Sequence, residues 1–234
     1  FCALHDGERS LVDRHELALA PSAALWSASR DRRRRPGSPA LRRVAAVGLG
    51  GAALPQVGAE LRAVAAAFES RPGGSAVLRL DADATLGSLR DALAGADVVH
   101  LACHGTFRAD SPAFSSLHLA DGALTVRDAA GLPLQAQLVT LSACETGLSR
   151  VAPGDELLGL LRGFLVAGAP QVLASQWTVD DSSTATLMRI FYARLLAGER
   201  AGAALRASQI ELAALQPHPY HWAAFALHQR TRDR

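Results

Sequence analysis

Apolar positions along this chain follow two different spacings in turn. Short apolar runs of strand length alternate with longer stretches in which apolar residues recur at helical spacing. This alternation is typical of an α/β fold with a mostly parallel central sheet. The predicted strands are RRVAAVGLG, SAVLRL, DVVHLACHG, QLVTLSAC, APQVLASQW and HWAAFALHQ. The predicted helices are QVGAELRAVAAAFES, TLGSLRDALAG, DELLGLLRGFLVAG, DDSSTATLMRIFYARLLAG and AALRASQIELAAL.

Two segments lie outside this alternation. SSLHLADGALTVRD consists of two alternating runs around Asp121-Gly122, and this dipeptide favours the tight turn of a hairpin. Residues 1–40 fit the pattern least well, and we expect them to form a peripheral N-terminal segment. Its basic run DRRRRPGSP predicts a solvated loop, because like charges in series favour disorder; a binding or processing site is the alternative.

Length and composition limit the class of protein. With 234 residues, of which 49% are hydrophobic, the chain can bury one sizeable core, and we expect one domain over residues 1–234. The formal charge of +2 gives no global sign of binding to nucleic acid or to an anionic membrane. Three cysteines are too few for a disulfide framework and suit a reducing, cytoplasmic compartment. Since the chain begins with Phe1 and not with Met, we expect an upstream domain in a longer polypeptide.

The absence of lysine and asparagine from the sequence excludes several mechanisms. Without lysine there is no P-loop phosphate ligand and no Schiff base, and without asparagine there is no papain-type Cys-His-Asn triad. The stretch HELAL has Leu19 where a zinc protease helix needs its second histidine, and no G-x-S-x-G occurs. VGLGGAAL after the first strand only approximates a dinucleotide-binding loop, so a nucleotide-binding fold is a weaker alternative than the two functions considered below.

Two residues at strand ends suggest a chemical role. His104 ends the third predicted strand, and Cys144 ends QLVTLSAC forty residues later. Because the carboxyl ends of parallel strands form the ligand crevice, we expect the two side chains to converge there if their strands are adjacent. Side chains alternate between the faces of a strand, so Cys103 points away from His104 and is expected to be a small buried filler.

A histidine and a cysteine in this arrangement can carry out acyl transfer. Cys144 would be the nucleophile and His104 the base that removes its proton. The backbone N–H groups of Gly105 and Cys144 could form the oxyanion hole. From the residues alone, a purely structural His-Cys pair is an equally good interpretation.

The motifs also resemble a known family. HLACHG, LSACETG, GDELLGLLRGFLVAGAPQVLASQWTVDD, FYARLLAG and HPYHWAAFAL are similar to the CHAT domain, a caspase-like and separase-like family of cysteine peptidases often joined to tetratricopeptide repeats in bacteria. The resemblance runs in order over nearly the whole chain. It implies a caspase-like three-layer α/β/α sandwich, a catalytic dyad of His104 and Cys144, and an oxyanion hole at Gly105 and Cys144. It further implies a protein or peptide substrate, no cofactor and no metal, and regulation by upstream tetratricopeptide repeats.

The stretch QWTVDD is the candidate for substrate binding. It resembles the W-D-V-T-D stretch of separases, whose last aspartate receives the basic residue before the cut bond, and this resemblance implies that role for Asp181. Trp177 and Asp180 would line the same pocket. The alternative is that Asp180 and Asp181 cap the helix that follows.

The sequence therefore predicts a cysteine endopeptidase that cleaves a protein substrate. The alternative from a different class is a non-catalytic protein-interaction module that retains the fold. His100 shares a strand face with His104, and we expect it to be buried beneath that residue.

Overall fold

A computed structural model describes residues 1–20, 41–51, 54–106, 111–142, 156–177 and 180–230. Its strands are β1 (Arg43–Gly48), β2 (Ser75–Leu80), β3 (Val98–Ala102), β4 (Gly105–Thr106), β5 (Ser116–Leu119), β6 (Gly122–Thr125), β7 (Leu138–Leu141), β8 (Gln171–Ser175) and β9 (Phe225–Gln229). Its α-helices are α1 (Val57–Glu69), α2 (Leu86–Ala92), α3 (Val126–Ala130), α4 (Glu156–Ala167), α5 (Asp181–Leu196), α6 (Ala201–Leu215) and α7 (Pro219–Trp222). Short 3₁₀ turns lie at Leu11–Asp13, Asp81–Asp83 and Pro112–Phe114.

The central sheet is mostly parallel, as the alternation of apolar runs predicts. Within the described residues its strand order is β2-β1-β3-β7-β8-β9, and β9 is antiparallel to β8. Strands β3 and β7, which lead towards His104 and Cys144, are direct neighbours. The adjacency on which the expected convergence of the two strand ends depends is therefore present.

Helices cover both faces of this sheet and bury two separate apolar layers. Helices α1, α5 and α6 pack on one face, and α2, α3 and α4 on the other. Side chains along β3 alternate between the two layers. Val98 and Ala102 lie in the first layer, and Val99 and Leu101, with Cys103 just after the strand, lie in the second. The result is the expected three-layer α/β/α arrangement.

The end of β3 differs from the sequence prediction. The strand stops at Ala102, whereas the apolar run predicts a strand through His104 and Gly105. The N–H of Leu49, just beyond the end of β1, donates to the carbonyl of Ala102 at 3.0 Å. Beyond that bond the chain leaves the central sheet, and Gly105 begins β4 in a smaller sheet of order β4-β5-β6. His104 thus lies in the turn between two sheets.

The smaller sheet contains the predicted hairpin. Strands β5 and β6 pair antiparallel around Asp121-Gly122, with Gly122 at φ 144°, a backbone region that favours glycine. The sequence prediction missed α3 and α7, because both are too short to show a helical period. Thr125 caps α3, and Pro219 occupies the first turn of α7. The basic run 31–39 lies outside the described residues.

The first twenty residues are bonded to the far edge of the central sheet. The N–H of Leu19 donates to the carbonyl of Leu227 at 2.8 Å, and the N–H of Gln229 donates back to Leu19 at 2.9 Å. Arg200, next to the start of α6, pairs with Glu16 at 2.6 Å. This segment therefore covers the edge of β9 that would otherwise be unpaired. In the described parts of the chain, no helix has the length and apolarity needed to cross a bilayer.

His228 on β9 is buried without a hydrogen-bond partner. Its side chain is 5% exposed and lies opposite Val172 of β8, and neither ring nitrogen is bonded. Burial lowers the pKa of His228 from 6.5 to about 4. The unfolded chain therefore takes up a proton below pH 6.5 that the folded chain does not accept until near pH 4.

We predict that the free energy of unfolding falls as the pH is lowered from about 6.5 to 4, with His228 accounting for up to about 3 kcal/mol. His228→Leu should flatten this part of the profile, because its side chain takes up no proton in either state. Urea unfolding at several pH values measures the effect, with the exposed His5→Gln as the control. If the free energy of unfolding of His228→Leu fell equally steeply with pH, His228 would not be the cause of the pH dependence.

Candidate active site

The candidate site lies where β3 and β7 end at the same edge of the sheet. The two strands are parallel and in register, with Leu101 opposite Leu141, and the N–H of Ser142 continues the ladder to the carbonyl of Leu101 at 2.8 Å. His104 follows the end of β3 by two residues, and Cys144 follows Ser142 by two. Cys144 itself lies outside the described residues. Both β3 and β7 end at the carboxyl edge of the sheet, where parallel sheets bind ligands.

The imidazole of His104 is half-buried. Its Nδ1 is buried and has no hydrogen-bond partner among the residues that the structure describes. Burial lowers the pKa of His104, the nearby charge of His118 lowers it further, and the carboxylate of Asp181 acts in the opposite direction. The neutral imidazole is thereby favoured, and this is the form that can accept a proton.

Cys103 is not suited to nucleophilic chemistry. Its side chain is fully buried in the apolar layer on the α4 side of the sheet, and burial raises the pKa of its thiol to about 12. The prediction of a small buried residue is confirmed. A thiol with this pKa is almost entirely protonated at neutral pH and therefore inert.

The two aspartates of QWTVDD make different contacts. Asp180 is the N-cap of α5: its Oδ2 accepts the N–H of Ser183 at 2.9 Å and the hydroxyl of Ser182 at 2.6 Å. These bonds lower the pKa of Asp180. The capping role predicted as an alternative is thus confirmed for Asp180.

Asp181 bonds to a different helix. Its Oδ2 accepts the backbone N–H of Gln56, the N-cap residue of α1, at 2.6 Å. Burial raises the pKa of Asp181; the Gln56 N–H opposes this shift, and the negative charges of Glu60 and Asp180 add to it. Its carboxylate is half-buried and acts electrostatically on His104. Asp181 therefore lies within electrostatic range of His104.

Trp177 and the HPYH segment contact each other and the first turn of α5, which begins after Asp180. Trp177 is 37% exposed, and its Nε1–H donates to the carbonyl of Tyr220 at 3.0 Å. The Nδ1 of His221 lies 3.1 Å from the hydroxyl of Ser183, which joins this segment to the first turn of α5. His218 accepts the N–H of Tyr220 at 3.2 Å. Among the described residues, no group of three or more His, Cys, Asp or Glu side chains is arranged to hold a metal ion.

A buried polar chain lies beneath the site. The Nε2 of His100 is 2.8 Å from Oε1 of Glu60, and its Nδ1 is 2.9 Å from the hydroxyl of Tyr192. Tyr192 in turn donates to Oγ1 of Thr140 at 2.9 Å. All four side chains are buried. The prediction that His100 is buried is confirmed, and the chain links α1, β3, α5 and β7.

Sequence reasoning missed Glu60, although a signal was present. In α1 the buried positions include Val57, Leu61, Val64 and Phe68, and Glu60 falls on the same face. An acidic residue within an apolar helical stripe indicates a buried partner. His118 was also missed, because its alternating run alone gives no reason to relate it to His104.

The chain belongs to the CHAT domain family, which it matches over residues 1–230. Tetratricopeptide repeat protein 28 of human is 36% identical over 106 residues, and the mouse protein gives the same values. That match covers 44% of this chain and 4% of the length of either relative. The family assignment agrees with the resemblance seen in the motifs.

Solved structures of cysteine peptidases share the fold. The Arg-specific cysteine proteinase gingipain R of Porphyromonas gingivalis superposes with a TM-score of 0.57 at 12% identity, over 80% of this chain and 46% of its own. The separase–securin complex of Saccharomyces cerevisiae gives 0.53 at 14% identity, over 82% and 12%. A secreted C11 cysteine protease of Bacteroides thetaiotaomicron gives 0.52 at 11% identity, over 82% and 67%. The protein therefore has the caspase-like fold.

Proposed function

We propose that this protein is a cysteine endopeptidase that cleaves a protein substrate through a dyad of His104 and Cys144. The observation that carries the proposal is the half-buried imidazole of His104, whose pKa is lowered by burial and whose Nδ1 has no hydrogen-bond partner among the described residues. It follows the end of β3, the strand adjacent to β7, which leads to Cys144. Cys144 would attack the peptide carbonyl after His104 removes its proton. The N–H groups of Gly105 and Cys144 would stabilise the oxyanion.

We further propose that Asp181 recognises a basic side chain before the cut bond. Its carboxylate is half-buried, and the negative charges of Glu60 and Asp180 disfavour its ionised form. A substrate guanidinium or ammonium group would relieve this repulsion and replace lost solvent with a charge-assisted hydrogen bond. Trp177, partly exposed beside α5, would form an apolar wall for the stem of the same side chain. Asp180, whose Oδ2 accepts three hydrogen bonds, would contribute to binding through its charge.

Upstream tetratricopeptide repeats are the proposed regulator. The human and mouse relatives are named as tetratricopeptide repeat proteins, and the match to this chain covers only 4% of their length. A second candidate function is a protein-interaction module that keeps the fold without catalysis. A thiol no more reactive than an ordinary surface cysteine would favour that second function.

An electrophilic peptide probe tests the nucleophile. We predict that the wild-type protein is labelled at Cys144 and that Cys144→Ala loses both labelling and cleavage while it remains folded, because only the reacting thiol is removed. Cys103→Ala is the matched control and should retain most of the labelling, since its thiol is buried and protonated. Labelling that survives Cys144→Ala and disappears in Cys103→Ala would overturn the assignment.

The proposed specificity pocket can be tested with peptide libraries in which the residue before the cleaved bond is varied. We predict that the wild type prefers Arg or Lys by about tenfold or more, since a charge-assisted hydrogen bond contributes about 1.5 to 3 kcal/mol. Asp181→Asn should lose this preference. Asp180→Asn is the comparison variant: it should lower the stability of α5 and weaken the preference less than Asp181→Asn does, because only its longer-range charge is lost. An unchanged profile in Asp181→Asn would remove Asp181 from the specificity pocket.

A further inference from the structure

His118 lies opposite His104 in the small sheet. Strands β4 and β5 are antiparallel, with Gly105 opposite Leu117 and Thr106 opposite Ser116. One step further in the same register places His118 opposite His104. The backbone confirms this pairing, because the N–H of His118 donates to the carbonyl of His104 at 2.8 Å. Directly opposed residues of an antiparallel pair project to the same side, with Cβ atoms about 4.5 to 5.5 Å apart.

Thr106 holds the side chain of His118 in place. The Nε2 of His118 lies 2.8 Å from Oγ1 of Thr106, its diagonal neighbour on the same side of the ribbon. A hydroxyl can donate to a neutral imidazole or accept from a protonated one. The contact is therefore compatible with both protonation states of His118. Without it, an exposed imidazole would turn towards solvent and act more weakly on its neighbours.

We propose that His118 is a positioning residue that sets the protonation of His104: held by Thr106 across the ribbon, its charge opposes a second positive charge on His104. His104 then takes up its proton at a lower pH than it would without that charge. The inference rests on the proposed function only for its catalytic consequence, because the coupling of the two imidazoles is a property of the fold.

The charges around this pair fit such a role. After burial, the charge of His118 is the larger influence that lowers the pKa of His104, and Asp181 of α5 acts in the opposite direction. The charges of Glu60 of α1 and of Asp180 raise the pKa of Asp181, so they affect the two imidazoles indirectly. From β6 the residue opposite His118 is Ala123, which carries no charge. Cys103, on the strand side, keeps its proton because its pKa is about 12.

Histidine-selective NMR titration of the full chain tests the coupling. All proteins carry Cys144→Ala so that the thiol does not titrate, and the His104 signal is assigned by its loss in His104→Gln. The midpoint of His104 should rise by about half a pH unit in His118→Gln, as two charges about 6 Å apart near water predict. Thr106→Val should give a smaller rise, and the exposed His15→Gln should give none.

A charged replacement separates electrostatics from loss of structure. His118→Arg keeps a positive charge at every pH, so the His104 midpoint should stay at or below its wild-type value. Equal rises in His118→Gln and His118→Arg would mean that His118 only shields His104 from solvent and would overturn the proposal. An unchanged midpoint in His118→Gln would overturn it as well. Because no variant needs to cleave a substrate, failure of the proposed peptidase activity would leave this test intact.

Discussion

The structure around the site depends on the buried contact between Glu60 and His100. Both side chains are almost wholly removed from solvent, and their polar atoms lie 2.8 Å apart. A buried carboxyl group without a partner is strongly unfavourable, so α1 can pack on the sheet only where Glu60 meets His100. Tyr192 and Thr140 extend the contact to α5 and β7. His100 and Thr140 precede His104 and Cys144, the two residues of the proposed dyad, by four residues each. These hydrogen bonds therefore connect the two strands that lead to the candidate site.

At the same edge of the sheet, the neighbouring residues Asp180 and Asp181 make different contacts. The Asp180 carboxylate accepts the N–H of Ser183 and the hydroxyls of Ser182 and Ser183 in its own helix. Asp181 instead accepts the N–H of Gln56 at the start of α1. The starts of α1 and α5 are thereby joined beside His104. Burial and the nearby Glu60 disfavour the charge of Asp181, and His104 favours it. This edge of the sheet therefore combines an imidazole whose pKa is lowered with a carboxylate whose pKa is raised.

Much of this organisation follows from sequence, because apolar spacing determines which segments can form buried strands and amphipathic helices. The strands of the central sheet and the hairpin at Asp121-Gly122 were predictable, and the cap at Asp180 was one of two alternatives that the sequence offered. The early end of β3 was not predictable, since it depends on where β1 ends in space. Pairs such as Glu60 with His100 and His104 with His118 join residues distant in sequence, and a single sequence holds no signal for their register. Whether Cys144 meets His104 remains a prediction, because Cys144 lies outside the described residues.

A double-mutant cycle on the buried contact tests this account most directly. Glu60→Leu and His100→Leu each leave one buried polar group without its partner, and each should lower the free energy of unfolding by about 3 kcal/mol or more. The double variant removes both groups, and its loss should be smaller than the sum of the single losses by at least about 1 kcal/mol. Losses that add within about 0.5 kcal/mol would show that the two side chains stabilise the fold independently, and would contradict the claim that their contact holds α1 and β3 together.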